Sequence, residues 1–164
     1  MDSPVTSFSF RYSAGNAALN SGDNDGAVKA YNDAIAVWEK GGRISIPGQM
    51  IAMCLTNLGT AYTRLGLVDE ALLSFDRSIE VHPSFLMALY NKAWLLENAN
   101  RDQEAIEAWE SYLQLAQTKS SEQDSITEAQ RHLSSLKAKS ILQRHGIPTI
   151  KTSEINKKRW HFWR

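Results

Sequence analysis

The tightest constraint on this chain is a pair of small residues, Gly59 and Ala71, each set in an apolar stripe of helical period. From Leu55 to Pro83 the sequence reads LTNLGTAYTRLGLVDEALLSFDRSIEVHP. Leu55, Leu58, Gly59 and Tyr62 fall on one face of a helix, and Ala71, Phe75 and Ile79 on one face of the next. Gly66-Leu67-Val68-Asp69 reads as the turn between them, and Pro83 stops the second helix. Two helices approach closely only where their side chains are small, and Tyr62 and Phe75 fill the space beside the contact. The stretch is predicted to be a tight helical hairpin.

The pattern recurs on both sides. Upstream, Gly15, Ala18, Gly22, Ala27, Tyr31 and Ala34 take the places of Gly59, Tyr62, Gly66, Ala71, Phe75 and Ser78, at a constant offset of 44 residues. Downstream, Ala93, Leu96, Ala105, Trp109 and Tyr112 repeat it at an offset of 34. Asn100 stands at the turn glycine there, and asparagine is the next best residue for a left-handed backbone. The longer upstream offset places an insertion at about 41–49. Gly41-Gly42 ends one helix, and Ile46-Pro47-Gly48 restarts the chain. Met50, Ile51, Met53 and Cys54 extend the helical face backwards from Leu55, which predicts a long third helix. The insertion is read either as a lip on a binding groove or as a neutral surface loop.

With Leu58, Gly59, Tyr62, Gly66, Ala71, Phe75 and Pro83 in register, the chain resembles the tetratricopeptide repeat family, built of 34-residue helix-turn-helix units. The resemblance implies an all-α solenoid of three hairpins, at about 8–41, 52–85 and 86–119, within a domain over 8–145. Beyond Lys119 the pattern changes. Ser125-Ile126-Thr127-Glu128 fits a capping box, and Ile126, Ala129, Leu133 and Leu136 form an apolar stripe continued by Ile141 and Leu142. Gln130, Arg131, Ser134, Ser135, Lys137 and Lys139 lie opposite. A helix with one polar face closes the open end of a stack, so 121–144 is predicted to be a capping helix. His145-Gly146 ends it, and Pro148 prevents continuation. Residues 1–7, polar and containing Pro4, are expected to be a flexible start.

Catalysis finds few parts. His82, His132, His145 and His161 are scattered, and no HExxH, paired cysteines, phosphate-binding glycine loop or nucleophile elbow occurs. His82, beside Pro83, reads as structural, and Cys54, in an apolar helix face, as a buried inert thiol. Asp23-Asn24-Asp25-Gly26 invites a calcium reading, but Ser21 and Asn32 stand where the calcium loop needs carboxylates. The expectation is a non-catalytic protein without cofactor or metal. Formal net charge is zero, which gives no overall field to draw nucleic acid. No apolar run is long enough to span a bilayer, the N-terminus lacks the pattern of a secretory signal, and Cys54 is the lone cysteine, so a cytoplasmic location is expected.

In a stack of such hairpins the first helix of each lines the concave side. Residues there not spent on packing are Ser9, Tyr12, Ser13, Asn16 and Asn20, then Met53, Thr56, Asn57, Thr60 and Arg64, then Met87, Tyr90, Asn91, Trp94 and Asn98. Asparagine donates to and accepts from a peptide backbone at once. The candidate peptide-binding set is therefore Tyr12, Asn16, Asn57, Arg64, Tyr90, Asn91 and Trp94, serving an adaptor or scaffold that captures a partner segment. In co-chaperone members of the family a two-carboxylate clamp grips the C-terminus of heat-shock chaperones. Its asparagines match Asn16 and Asn57, but Tyr12, Met87 and Asn91 stand where it has two lysines and an arginine. Without those charges a terminal carboxylate loses its main partners, which favours a different peptide.

The stretch after Gly146 is different in kind. It holds Lys151, Lys157, Lys158, Arg159 and Arg164 against Glu154, leaving 13 basic and 17 acidic residues in the rest of the chain. Lys157, Lys158, Arg159, Trp160 and Trp163 form a basic-aromatic end. It fits three roles: folding back on the repeats, contact with a partner protein, or anchorage at an anionic membrane surface. End-to-end stacking of copies into a homo-oligomer is also compatible with so short an array.

Overall fold

The computed structural model describes residues 3–42, 45–117 and 123–146. Among these it forms seven α-helices: α1 Pro4–Ser21, α2 Asn24–Val37, α3 Gly48–Leu65, α4 Val68–Val81, α5 Leu86–Asn98, α6 Asp102–Ala116 and α7 Gln123–Arg144. The chain divides into two compact units, Met1–Ala88 and Leu89–Arg164.

In the first unit the two hairpins α1–α2 and α3–α4 use one device. A Cβ on Gly15 would lie 2.5 Å from the Tyr31 ring, and one on Gly59 would lie 2.5 Å from the Phe75 ring. Each glycine thus lets an aromatic ring lie against the backbone of the facing helix. Each hairpin turns at a glycine with positive φ, Gly22 at 84° and Gly66 at 77°, which satisfies the last carbonyls of the preceding helix. Asp23 then caps α2, its side chain accepting from the Gly26 amide at 2.9 Å. The calcium-like turn is therefore a helix cap, with the Asp23 carboxylate spent on the backbone. The core joins both hairpins through Phe8, Tyr31, Ile35, Ile51 and Leu55.

Three expectations change here. The flexible start does not extend to residue 7: α1 begins at Pro4, with Ser3 accepting from the Thr6 amide at 3.1 Å. Proline suits the first helical turn, where its missing N–H would have no helical partner. The segment before α3 is more than a surface loop, because Ile46 is buried in the core of this unit. α2 runs into a wider turn, Trp38–Gly42, where Gly41 takes φ 149°, and Arg77 pairs with Glu39 at 2.6 Å. Finally, Thr56 is not on an open face. It is fully buried and hydrogen-bonded to Ser78 Oγ at 2.9 Å. Ser78 donates to the Ala52 carbonyl at 2.8 Å, so the Thr56 hydroxyl supplies the hydrogen between the two side chains.

At the end of α4, His82 has a structural place: it caps the helix, meets the Phe85 ring edge-on at 6.0 Å and lies 3.3 Å from Ser84 Oγ. Cys54 is buried, its thiol 3.8 Å from the Tyr31 carbonyl, and burial pushes its pKa up to about 12. Thiol reagents at pH 8 are accordingly expected to leave Cys54 unmodified in the folded protein and to label it once urea unfolds the chain. Rapid labelling without denaturant, followed by mass spectrometry, would contradict this burial.

In the second unit α5, α6 and α7 surround Trp109, which is fully buried. Asn100 takes the turn between α5 and α6 with φ 58°. α7 begins at Gln123, so Ser125 and Glu128 lie inside the helix and form no capping box. Its buried face is Ile126, Ala129, His132 and Leu136, with Leu133 only half-buried. Ile141 and Leu142, read as a continuation of the stripe, are exposed. Lys137 and Lys139 tie α7 to α6 through Glu110 and Asp102, each at 2.7 Å.

Candidate functional site

α1 and α3 carry the first of the predicted site residues, and the fold brings three of them into one network. Asn57 Nδ2 donates to Tyr12 Oη at 3.2 Å and to Asn16 Oδ1 at 3.0 Å. Tyr31, from α2, donates its hydroxyl to the same Asn16 Oδ1 at 2.7 Å. The group links three helices through side chains that are half-buried, apart from the fully buried Tyr31. Tyr12 is held by ring contacts with Phe8, stacked at 5.9 Å, and with Tyr31 at 6.0 Å. Burial of Tyr31 pushes its phenol well above the ordinary tyrosine range, so the hydroxyl remains a donor at any working pH.

Arg64, the fourth predicted residue here, is exposed, and its Nη1 donates to the Leu19 carbonyl at 2.7 Å. That carbonyl lies in the last turn of α1, where a cation offsets the negative end of the helix dipole. Arg64 therefore has a structural task as well as a place on this face. Thr60, half-buried, bonds back to the Thr56 carbonyl at 3.1 Å, and Met53 remains 38% exposed.

The second unit holds Tyr90, Asn91 and Trp94, all half-buried on α5. Tyr90 is committed to packing. Its ring meets Trp109 edge-on at 5.0 Å and Tyr112 at 5.4 Å, and its hydroxyl donates to Glu128 at 3.0 Å. The carbonyl of Trp94 accepts from Asn98 Nδ2 at 2.6 Å. Reading the sequence for open positions missed the cluster that holds Tyr90. His132 stacks on Trp109 at 5.2 Å, and its Nδ1 lies 2.9 Å from Glu97. Trp109 Nε1 donates to Glu97 at 3.2 Å. The available signal was weak: one histidine beside Leu133 in an otherwise apolar stripe. The predicted tail contacts, Lys157, Lys158, Arg159, Trp160 and Trp163, lie outside the described residues.

No group of three or more metal-binding side chains occurs among the described residues, and none of their helices is long and apolar enough to cross a membrane. What the site offers chemically is hydrogen bonding, on a helical scaffold of paired hairpins.

The tetratricopeptide repeat family's model matches residues 56–121 of the chain. No curated protein matches it. Solved structures share its fold. The TPR2B domain of yeast Sti1, determined as a complex with an Hsp70 peptide, is 19% identical, covers 82% of this chain and 98% of its own, and has a TM-score of 0.67. The Sgt2 TPR domain of Aspergillus fumigatus is 19% identical with a TM-score of 0.66, over 88% of this chain and 86% of its own. The type III secretion translocator chaperone SycD of Yersinia enterocolitica is 17% identical with a TM-score of 0.70, over 85% and 89%.

Proposed function

We propose that this tetratricopeptide repeat domain is an adaptor that captures a segment of a partner protein, with Asn16 and Asn57 on the partner's backbone. The observation that carries the reading is the linked pair itself. Two side chains from α1 and α3 are held in one orientation, and each keeps a hydrogen-bonding group without a partner among the described residues. Fixed polar groups of this kind bind with less loss of conformational freedom than mobile ones. Tyr12 lies beside them as an aromatic contact. For the second unit the proposal assigns the same kind of contact to Asn91 and Trp94.

The Sti1 domain carries an Hsp70 peptide, and the first repeat domain of Spaghetti (RPAP3) an HSP90 peptide. For the present chain a chaperone tail is the weaker ligand, because Tyr12, Met87 and Asn91 stand in place of the clamp's cations.

The test is affinity capture from lysate with the intact chain, a chain ending at Gly146, and Asn57→Ala. Asn57→Ala is expected to weaken retention of a specific partner by about tenfold or more, while the truncated chain retains it. Retention by Asn57→Ala together with loss on truncation would move the site to the basic-aromatic tail and overturn the assignment.

A further inference from the structure

We infer that the outward face of α1 docks a second copy of this chain, the two α1 helices packing antiparallel about a two-fold axis between Ser13 and Ala14. This goes beyond the proposed peptide-binding face and does not depend on it.

α1 and α3 are each 18 residues long, and each carries a single charged side chain, Arg11 in one and Arg64 in the other. α3 has eight buried residues, whereas α1 buries only Phe8, Gly15 and Leu19. A helix so poor in charge is ordinarily covered on more than one side. Arg11 does not solvate the far side of α1, because it runs back along the helix and donates to the Ser7 carbonyl at 3.1 Å. At about 100° per residue, the side opposite the buried row consists of Thr6, Phe10, Ser13, Ala14 and Ala17. All five are exposed, and Phe10, at 75%, is the most exposed large apolar side chain of the described residues. Tyr12 and Asn16 lie off this face, where they meet Asn57 of α3.

The surface that this face fits is its own copy. A two-fold axis sets the residues beside it against themselves, so a charged residue there would meet an equal charge, and this face has none. With the axis between Ser13 and Ala14, Phe10 faces the partner subunit's Ala17, since positions 10 and 17 lie equally far from the axis on opposite sides. A large side chain thus meets a small one twice over. Ser13 and Ala14 let the two backbones approach at the centre. The antiparallel arrangement also places the positive end of each helix dipole beside the negative end of the other. A contact confined to one helix face from each copy falls short of the roughly 1,200 Å² of standard interfaces, so the dimer is weak, with a Kd on the order of tens of micromolar.

Sedimentation velocity of the intact chain from about 5 to 500 μM is expected to show the monomer giving way to a dimer. Low and high salt should give the same result, because no charge pair crosses the contact. Phe10→Glu should weaken association at least about tenfold, and should shift the melting temperature by no more than about 2 °C because the side chain it replaces is exposed. Ala14→Cys, oxidised at a concentration that forms the dimer, should give a disulfide-linked pair, because the axis brings that position against its copy. Ala17→Cys should not, since it lies about 10 Å along the helix from its copy. Cys54 is buried and does not compete. A chain that stays monomeric throughout overturns the inference and leaves the proposed peptide-binding face untouched. Association that survives Phe10→Glu, or that salt dissolves, places the contact on another surface and overturns it as well. Equal cross-linking at positions 14 and 17 would do the same.

Discussion

Trp109→Ala is expected to destabilise the protein by about 3–5 kcal/mol. The indole is the largest fully buried side chain in the described structure, and four partners close around it. Tyr90 and Tyr112 meet it edge-on at 5.0 and 6.1 Å, His132 stacks on its face at 5.2 Å, and Glu97 accepts from its Nε1 at 3.2 Å. Alanine removes this apolar area and leaves a cavity that helices on every side cannot collapse into without moving. It also takes a donor from Glu97, which keeps His132 as a neighbour. Trp109→Phe retains much of the volume and should cost roughly half as much, the remainder reflecting the lost N–H bond and the smaller ring. Urea unfolding followed by circular dichroism gives both values. A loss below about 1 kcal/mol for the alanine variant would mean that Trp109 is not the centre of its unit.

Gly59→Val should be nearly as damaging, at about 3 kcal/mol, for the opposite reason. A Cβ at this position lies 2.5, 2.8 and 2.9 Å from three atoms of the Phe75 ring, which is itself 1% exposed. The ring has no room to retreat, so α3 and α4 must separate, and valine adds two further methyl groups to the clash. The gain from removing a mid-helix glycine, about 1 kcal/mol at most, offsets only part of this. Gly66→Ala is the control. No atom lies within 4 Å of its added Cβ, and its cost of about 1–2 kcal/mol comes from the left-handed φ of 77° alone. Phe75→Leu should partly rescue Gly59→Val, because the two changes share one contact and are not additive. If Gly59→Val and Gly66→Ala have equal effects, close approach of the two helices is not what the glycine at 59 provides.

The features that could be read from the chain were those that depend on local spacing. Gly59, Ala71 and Phe75, repeated as Gly15, Ala27 and Tyr31, announce hairpins because a 3.6-residue period assigns each residue to a face. Positions one step apart on a helix are harder, since they differ by about 100° and either can turn inward when the facing surface requires it. Thr56 went inward because Ser78 offers it an acceptor. His132 is buried beside a half-buried Leu133 because Trp109 and Glu97 receive it. Tyr90, read as open, is held by Glu128 from α7. Of the candidate site, Asn16 and Asn57 could be named from their family positions, but their union could not. Its third member, Tyr31, looked like hairpin filler, and no spacing rule connects a phenol to an amide 15 residues earlier.

The sequence alone therefore determined an all-α repeat architecture, its turns and its small-residue contacts, because these are set by interactions within one hairpin and within one helical period. Tertiary structure alone decided which polar side chains are buried, how Asn16 and Asn57 are turned, and that Trp109 organises the second unit. Those outcomes depend on hydrogen-bond and packing partners supplied by other helices, whose direction no local pattern encodes.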